Sequence, residues 1–105
     1  MIHAYLERIR ARFETGIATE HTFRGDLQQL LEAFDPAVIV TNEPTRIACG
    51  APDFILTKRG IPLGYVEAKD IGVSLEKADG TEQLTRYKAS LDNLILTDYL
   101  DFWLY

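Results

Sequence analysis

The sequence predicts a mixed α/β domain, a β-sheet flanked by helices in the order α-α-β-β-β-α-β-β. Three features carry that prediction. The first third of the chain repeats its apolar residues at helical spacing. Beyond it come short runs rich in β-branched and aromatic residues, separated by turn residues. One further helical pattern interrupts those runs, which suits a sheet with a crossover rather than an all-β stack. At 105 residues the chain has the length of one domain, and residues 1–105 show no internal repeat, low-complexity tract or linker.

The first helix is read from Ile2, Leu6, Ile9 and Phe13, with Tyr5 beside them and Gly16 as a stop. A second runs from about Thr19, an N-cap residue type, to Phe34. Its stripe is Phe23, Leu27, Leu30, Leu31 and Phe34, and Asp35-Pro36 closes it. Val38 to Thr41 is short and β-branched, hence a strand. After a loop from Asn42 to Ala51, Asp53 to Thr57 forms a second strand. Lys58 to Pro62 turns, and Leu63 to Lys69 returns as a third, so these two make a hairpin. The stretch from Asp70 to Gly80 is polar and reads as irregular. A helix then runs from Thr81 or Glu82 to about Leu91, with Leu84, Tyr87 and Leu91 on one face. Leu94 to Thr97 and Phe102 to Tyr105 are the last two strands. The chain stops on that raw hydrophobic strand, which points to a fragment of a longer polypeptide.

Composition narrows the function classes. With 47% hydrophobic and 26% charged residues, the chain holds enough apolar surface to fold, so disorder is excluded as its main state. No apolar run approaches the roughly 18 residues of a membrane span, and the N-terminus lacks a signal-peptide core. Cys49, the only cysteine, cannot form an internal disulfide, which fits the cytoplasm. Lys+Arg 11 against Asp+Glu 16 gives a net charge of −5, which disfavours a protein that coats nucleic acid by charge alone. It does not disfavour an enzyme whose carboxylates hold a metal, because the ion brings positive charge of its own.

The chemistry gathers on the predicted hairpin. Asp53 follows Pro52 at the start of one strand, and Glu67-Ala68-Lys69 ends the next, thirteen residues (54 to 66) lying between Asp53 and Glu67. Side chains alternate along a strand, so Glu67 and Lys69 face one way and Ala68 the other. A hairpin that sets Asp53 alongside brings two carboxylates and an ammonium to one spot. Two carboxylates with an open position suit Mg²⁺ or Mn²⁺, hard cations that keep several waters, and the Ala68 carbonyl is a further candidate oxygen. Lys69 near such an ion can orient the attacking water and offset charge on a phosphate.

Pro-Asp, thirteen residues, then Glu-x-Lys resembles the PD-(D/E)xK nuclease superfamily, whose fold is the restriction-endonuclease-like mixed sheet. Many members add a carboxylate from a helix ahead of the sheet, and Glu20, three residues before Phe23, matches that position. Gln83-Leu84-Thr85-Arg86-Tyr87 matches the QxxxY motif of the RecB-like branch, and residues four apart share one helix face. From about Thr19 to Tyr105 the sequence is similar to the N-terminal nuclease domain of single-chain type IIG and type ISP restriction–modification enzymes. The resemblance implies a Mg²⁺-dependent endodeoxyribonuclease acting on DNA. Asp53, Glu67, Lys69, Gln83 and Tyr87 would be at its site, with Asp53, Glu67, Ala68 and Glu20 as the metal ligands. It also implies methyltransferase and target-recognition domains on the same polypeptide, and two copies meeting on DNA wherever both strands are cut.

Plainer readings stand beside these. Glu-x-Lys alone is commonly a surface pair, Asp53 after Pro52 a turn former, and Glu20 a complement to the helix dipole. His3 and His21 lack the spacing of a zinc site, and Cys49 lacks a partner for a thiol nucleophile. Arg24, Arg46, Lys58, Arg59, Arg86 and Lys88 read as solvated charges, with Arg86 and Lys88 also placed to meet phosphate. Two rival functions share the fold. One is a RecB-like or junction-resolving repair nuclease, which would lack a downstream methyltransferase. The other is a non-catalytic docking module, which could lose Asp53, Glu67, Lys69 and Gln83 freely.

Overall fold

The structure, a computed structural model, describes residues 1–18, 22–42 and 50–105. Its elements are α1 (Ile2–Glu14), α2 (Arg24–Phe34), β1 (Val38–Asn42), β2 (Phe54–Lys58), β3 (Ile61–Ala68), α3 (Leu75–Asp79), α4 (Glu82–Ser90), β4 (Leu94–Thr97) and β5 (Phe102–Leu104). The strands form one mixed sheet in the order β1-β2-β3-β4-β5. Only β3 and β4 run parallel, joined through α3 and α4; the other neighbours are antiparallel. This is the restriction-endonuclease-like α/β architecture.

Two apolar clusters fill the two faces. Tyr5 and Ile9 of α1 and Leu27 and Leu30 of α2 pack with Val38, Val40, Phe54 and Val66. On the other face Leu75 and Ala78 of α3 and Leu84 and Tyr87 of α4 pack with Leu94 and Leu96. Strand alternation divides β3 accordingly: Val66 and Ala68 join the first cluster, while Tyr65 lies against the second. Glu67 therefore faces α4.

The elements depart from the sequence reading in four places. The α1 stripe buries Tyr5 and Ile9 but leaves Ile2, Leu6 and Phe13 exposed, because α2 covers only one edge of it. Helix α2 begins at Arg24, with Phe23 as its N-cap, well after the predicted start. Thr19 lies outside the described residues. The supposedly irregular stretch contains α3, one short helix that buries Leu75 and Ala78 and is capped by the Ser74 side chain, which accepts from the Lys77 amide at 3.3 Å. Strand β3 starts at Ile61 rather than Leu63, since the turn needs only Arg59 and Gly60, both at positive φ (52° and 77°), as two-residue hairpins favour.

Gly64 fixes how the parallel pair begins. A Cβ at Gly64 would stand 2.7 Å from the backbone oxygen of Asn93. That close approach lets the Asn93 carbonyl accept from the Tyr65 amide at 3.1 Å and its side-chain amide donate to the Leu63 carbonyl at 2.8 Å. From there the register runs Tyr65 to Leu94 and Glu67 to Leu96. Beyond the strands, Tyr99 is fully buried, its carbonyl accepting from the Tyr5 hydroxyl at 2.6 Å and its ring 5.5 Å from that of Phe23.

Candidate active site

The hairpin register decides which side chains meet. At the turn Lys58 pairs with Ile61 and Thr57 with Pro62, but beyond a shift at Leu56/Thr57 the pairs become Leu56 with Gly64 and Phe54 with Val66. Leu63 is thus an extra residue on β3. Without it the next pair would set Asp53 beside Val66, an apolar core position. With it Asp53 falls beside Glu67, and a one-residue slip decides which face every side chain takes.

The contacts bear this geometry out. The Asp53 amide donates to Glu67 Oε1 at 3.3 Å, and the Ala68 amide donates to Asp53 Oδ2 at 2.8 Å. Lys69 is held at the end of β3 by its own amide, which donates to the Thr97 carbonyl at 2.7 Å. Its Nζ reaches Glu67 Oε2 at 3.4 Å and Gln83 Oε1 at 3.4 Å. From Gln83 the chain of contacts continues on α4, where Nε2 donates to the Tyr87 hydroxyl at 3.4 Å. Thr81 caps that helix by accepting from the Leu84 amide at 3.3 Å, which fixes the turn carrying Gln83. Gly50 makes room for the Tyr87 phenol: a Cβ there would stand 3.0 Å from its hydroxyl.

Electrostatics single out Glu67. Its carboxyl is pushed up to about 7, first by burial and then by the negative charge of Asp53, while Lys69 opposes the shift. Such a self-repelling pair of oxygen donors, Glu67 buried and Asp53 half-buried, could hold a hard cation. Among the described residues no three acidic, His or Cys side chains come together, so the side chains that could meet such an ion there are the two carboxylates. Ions such as Mg²⁺, which keep several waters, fit so small a set.

The structure thus brings together Asp53, Glu67, Lys69, Gln83 and Tyr87. Ala68 turns its side chain into the first core cluster and serves Asp53 through its amide. Glu20 falls outside the described residues, as do His21, Arg46 and Cys49. His3 is exposed on α1 near Glu7. Arg86 pairs with Glu82 and Lys88 with Asp79, so each meets a carboxylate of its own surface.

Arg24 corrects the sequence reading outright. It is 5% exposed, not solvated. Its Nη2 donates to Asp53 Oδ1 at 2.9 Å and its Nη1 to Asn42 Oδ1 at 3.0 Å. The signal was in the spacing: Arg24 stands three and seven residues before Leu27 and Leu31, on a buried stripe where a charge needs a partner. Asp26 repeats the pattern, buried on α2 and paired with Arg12 and Arg8 of α1.

A solved cryo-EM structure of a DrdV–DNA complex is similar to this chain, with a TM-score of 0.68 and 19% sequence identity over 95% of this chain and 12% of that one. The likeness is one of fold. No protein-family model and no curated protein matches the sequence.

Proposed function

We propose that the chain is a metal-dependent endonuclease domain of the PD-(D/E)xK kind, which hydrolyses DNA phosphodiester bonds as the cleavage module of a restriction–modification enzyme. The observation that carries the reading is the bulged hairpin that sets Asp53 against Glu67, with Lys69 linked to Gln83 and Tyr87. The fold shared with a protein solved as a DNA complex supports DNA as the partner. Matching only 12% of that longer chain agrees with a module that works beside others, such as methyltransferase and target-recognition domains.

Asp53 and Glu67 would hold Mg²⁺ or Mn²⁺, which when bound supplies Lewis-acid polarisation of a phosphoryl oxygen and a more acidic water. The protein's own groups do the rest. Lys69 Nζ, which lies between Glu67 and Gln83, would hold the attacking water and face the charge that develops on phosphate. Gln83 and Tyr87 fix that ammonium from α4, so it is oriented before substrate arrives.

Nicking of supercoiled plasmid at low salt, with Mg²⁺ or Mn²⁺ and the chain in excess, tests the reading. Metal-dependent nicking is expected, reduced at least a hundredfold by Asp53→Ala or Lys69→Ala. Nicking that either substitution leaves intact overturns the site assignment.

A further inference from the structure

Arg24 has a place in the site that the proposed chemistry does not use. Among the described residues its guanidinium is held by Asp53 Oδ1 at 2.9 Å and Asn42 Oδ1 at 3.0 Å, with the centroid of the Phe54 ring 5.9 Å from Cζ. Buried ion pairs are weak sources of stability, since desolvation offsets their attraction. A buried arginine bound to both Asp53 and Asn42 is better explained by the arrangement it enforces. Its planar fork can bind Asp53 and Asn42 at once, which a lysine ammonium cannot do in the same geometry.

The Asp53 carboxylate is fully fixed as a result. Oδ1 takes the Arg24 donor and Oδ2 takes the Ala68 amide at 2.8 Å. Each carboxylate oxygen accepts about two hydrogen bonds, so with respect to the described residues each keeps one direction open. A cation can therefore be held without displacing Arg24, but only beside a positive charge that repels it.

We propose that Arg24 is a positioning residue and resident counter-charge of the site: it fixes the Asp53 carboxylate and, by its charge, weakens that carboxylate's hold on a divalent cation. This rests on the reading of Asp53 and Glu67 as metal ligands. It predicts opposite signs for two measurements. A merely structural arginine, once removed, lowers metal affinity and activity together. The counter-charge, once removed, raises affinity while activity falls, because Asp53 is no longer held in one geometry.

The experiment is Mn²⁺ binding by calorimetry to the 105-residue chain at pH 8 and low salt, for the wild type, Arg24→Gln, Arg24→Lys and Asp53→Asn. Arg24→Gln, which removes both the charge and the fork that holds Asp53 and Asn42 together, is expected to lower the Kd at least tenfold and slow nicking at least tenfold. Arg24→Lys, which keeps the charge, stays within about threefold of the wild-type Kd. A Kd for Arg24→Gln that is unchanged or raised, with binding abolished in Asp53→Asn, overturns the role of Arg24 alone. Binding unchanged in Asp53→Asn overturns the site itself. The wild type gives a test free of folding effects: Mg²⁺ is expected to displace the Arg24 Nε–H resonance with the midpoint of metal binding. A resonance unmoved at saturating Mg²⁺ overturns the proposal.

Discussion

Glu67 couples the site to pH. Its carboxyl ordinarily titrates near 4.5 and is pushed up to about 7 in the fold, by burial and by Asp53. Between those values the folded chain keeps a proton that the unfolded chain has released. The associated stabilisation is complete below about 4.5 and is lost as pH rises through about 7. In the absence of divalent cations, Tm is expected to fall between pH 5 and 7.5, and Glu67→Gln should flatten that fall. An equal slope in the variant would assign the dependence elsewhere. Mg²⁺ favours the ionised pair, so millimolar metal at pH 7.5 is expected to raise the Tm of the wild type and not of Asp53→Asn. The three residues of the hairpin were legible because alternation and antiparallel pairing follow from elementary strand geometry. Arg24 was overlooked because its charge was read by type rather than by its place on the stripe with Leu27 and Leu31.

Between the residues and the site stand two devices, the bulge at Leu63 and the close approach at Gly64. The sequence predicted the hairpin but not the bulge, since nothing in an apolar Pro62-Leu63 pair announces an unpaired residue. The site is legible from spacing only because the bulge supplies the odd residue that turns Glu67, rather than Val66, toward Asp53. Helix α3 was hidden for a related reason: five residues offer barely one turn of periodicity, and its cap, Ser74, is also an ordinary loop residue. Gly64→Ala forces a methyl group into the Asn93 backbone. It is expected to cost about 2–3 kcal/mol, read as a Tm lower by about 10–20 °C. Thr81→Ala removes the cap of α4 and should cost about 1 kcal/mol, while slowing nicking more than that loss of stability explains, because the cap fixes the turn that presents Gln83.

Taken whole, the chain carries a net charge of −5, and its Arg86 and Lys88 are already paired with carboxylates. Affinity for duplex DNA comes mainly from phosphate neutralisation, so binding should be weak and lost steeply with salt. Filter binding at 20 and 150 mM NaCl is expected to give retention only at the lower salt, and tight binding at the higher salt would show a basic surface that the described residues do not reveal. None of the helices among them is long and apolar enough to cross a membrane. The parallel register has an optical consequence as well. Glu67 pairs with Leu96, and Leu96 with Trp103, which packs against the same cluster as α4. Two strand spacings separate the Glu67 and Trp103 backbones, about 10 Å. Trp103 is the one tryptophan of the chain. Its fluorescence is therefore an intrinsic, label-free gauge of the site, and a paramagnetic ion such as Mn²⁺ arriving at Glu67 should dim it where Mg²⁺ does not.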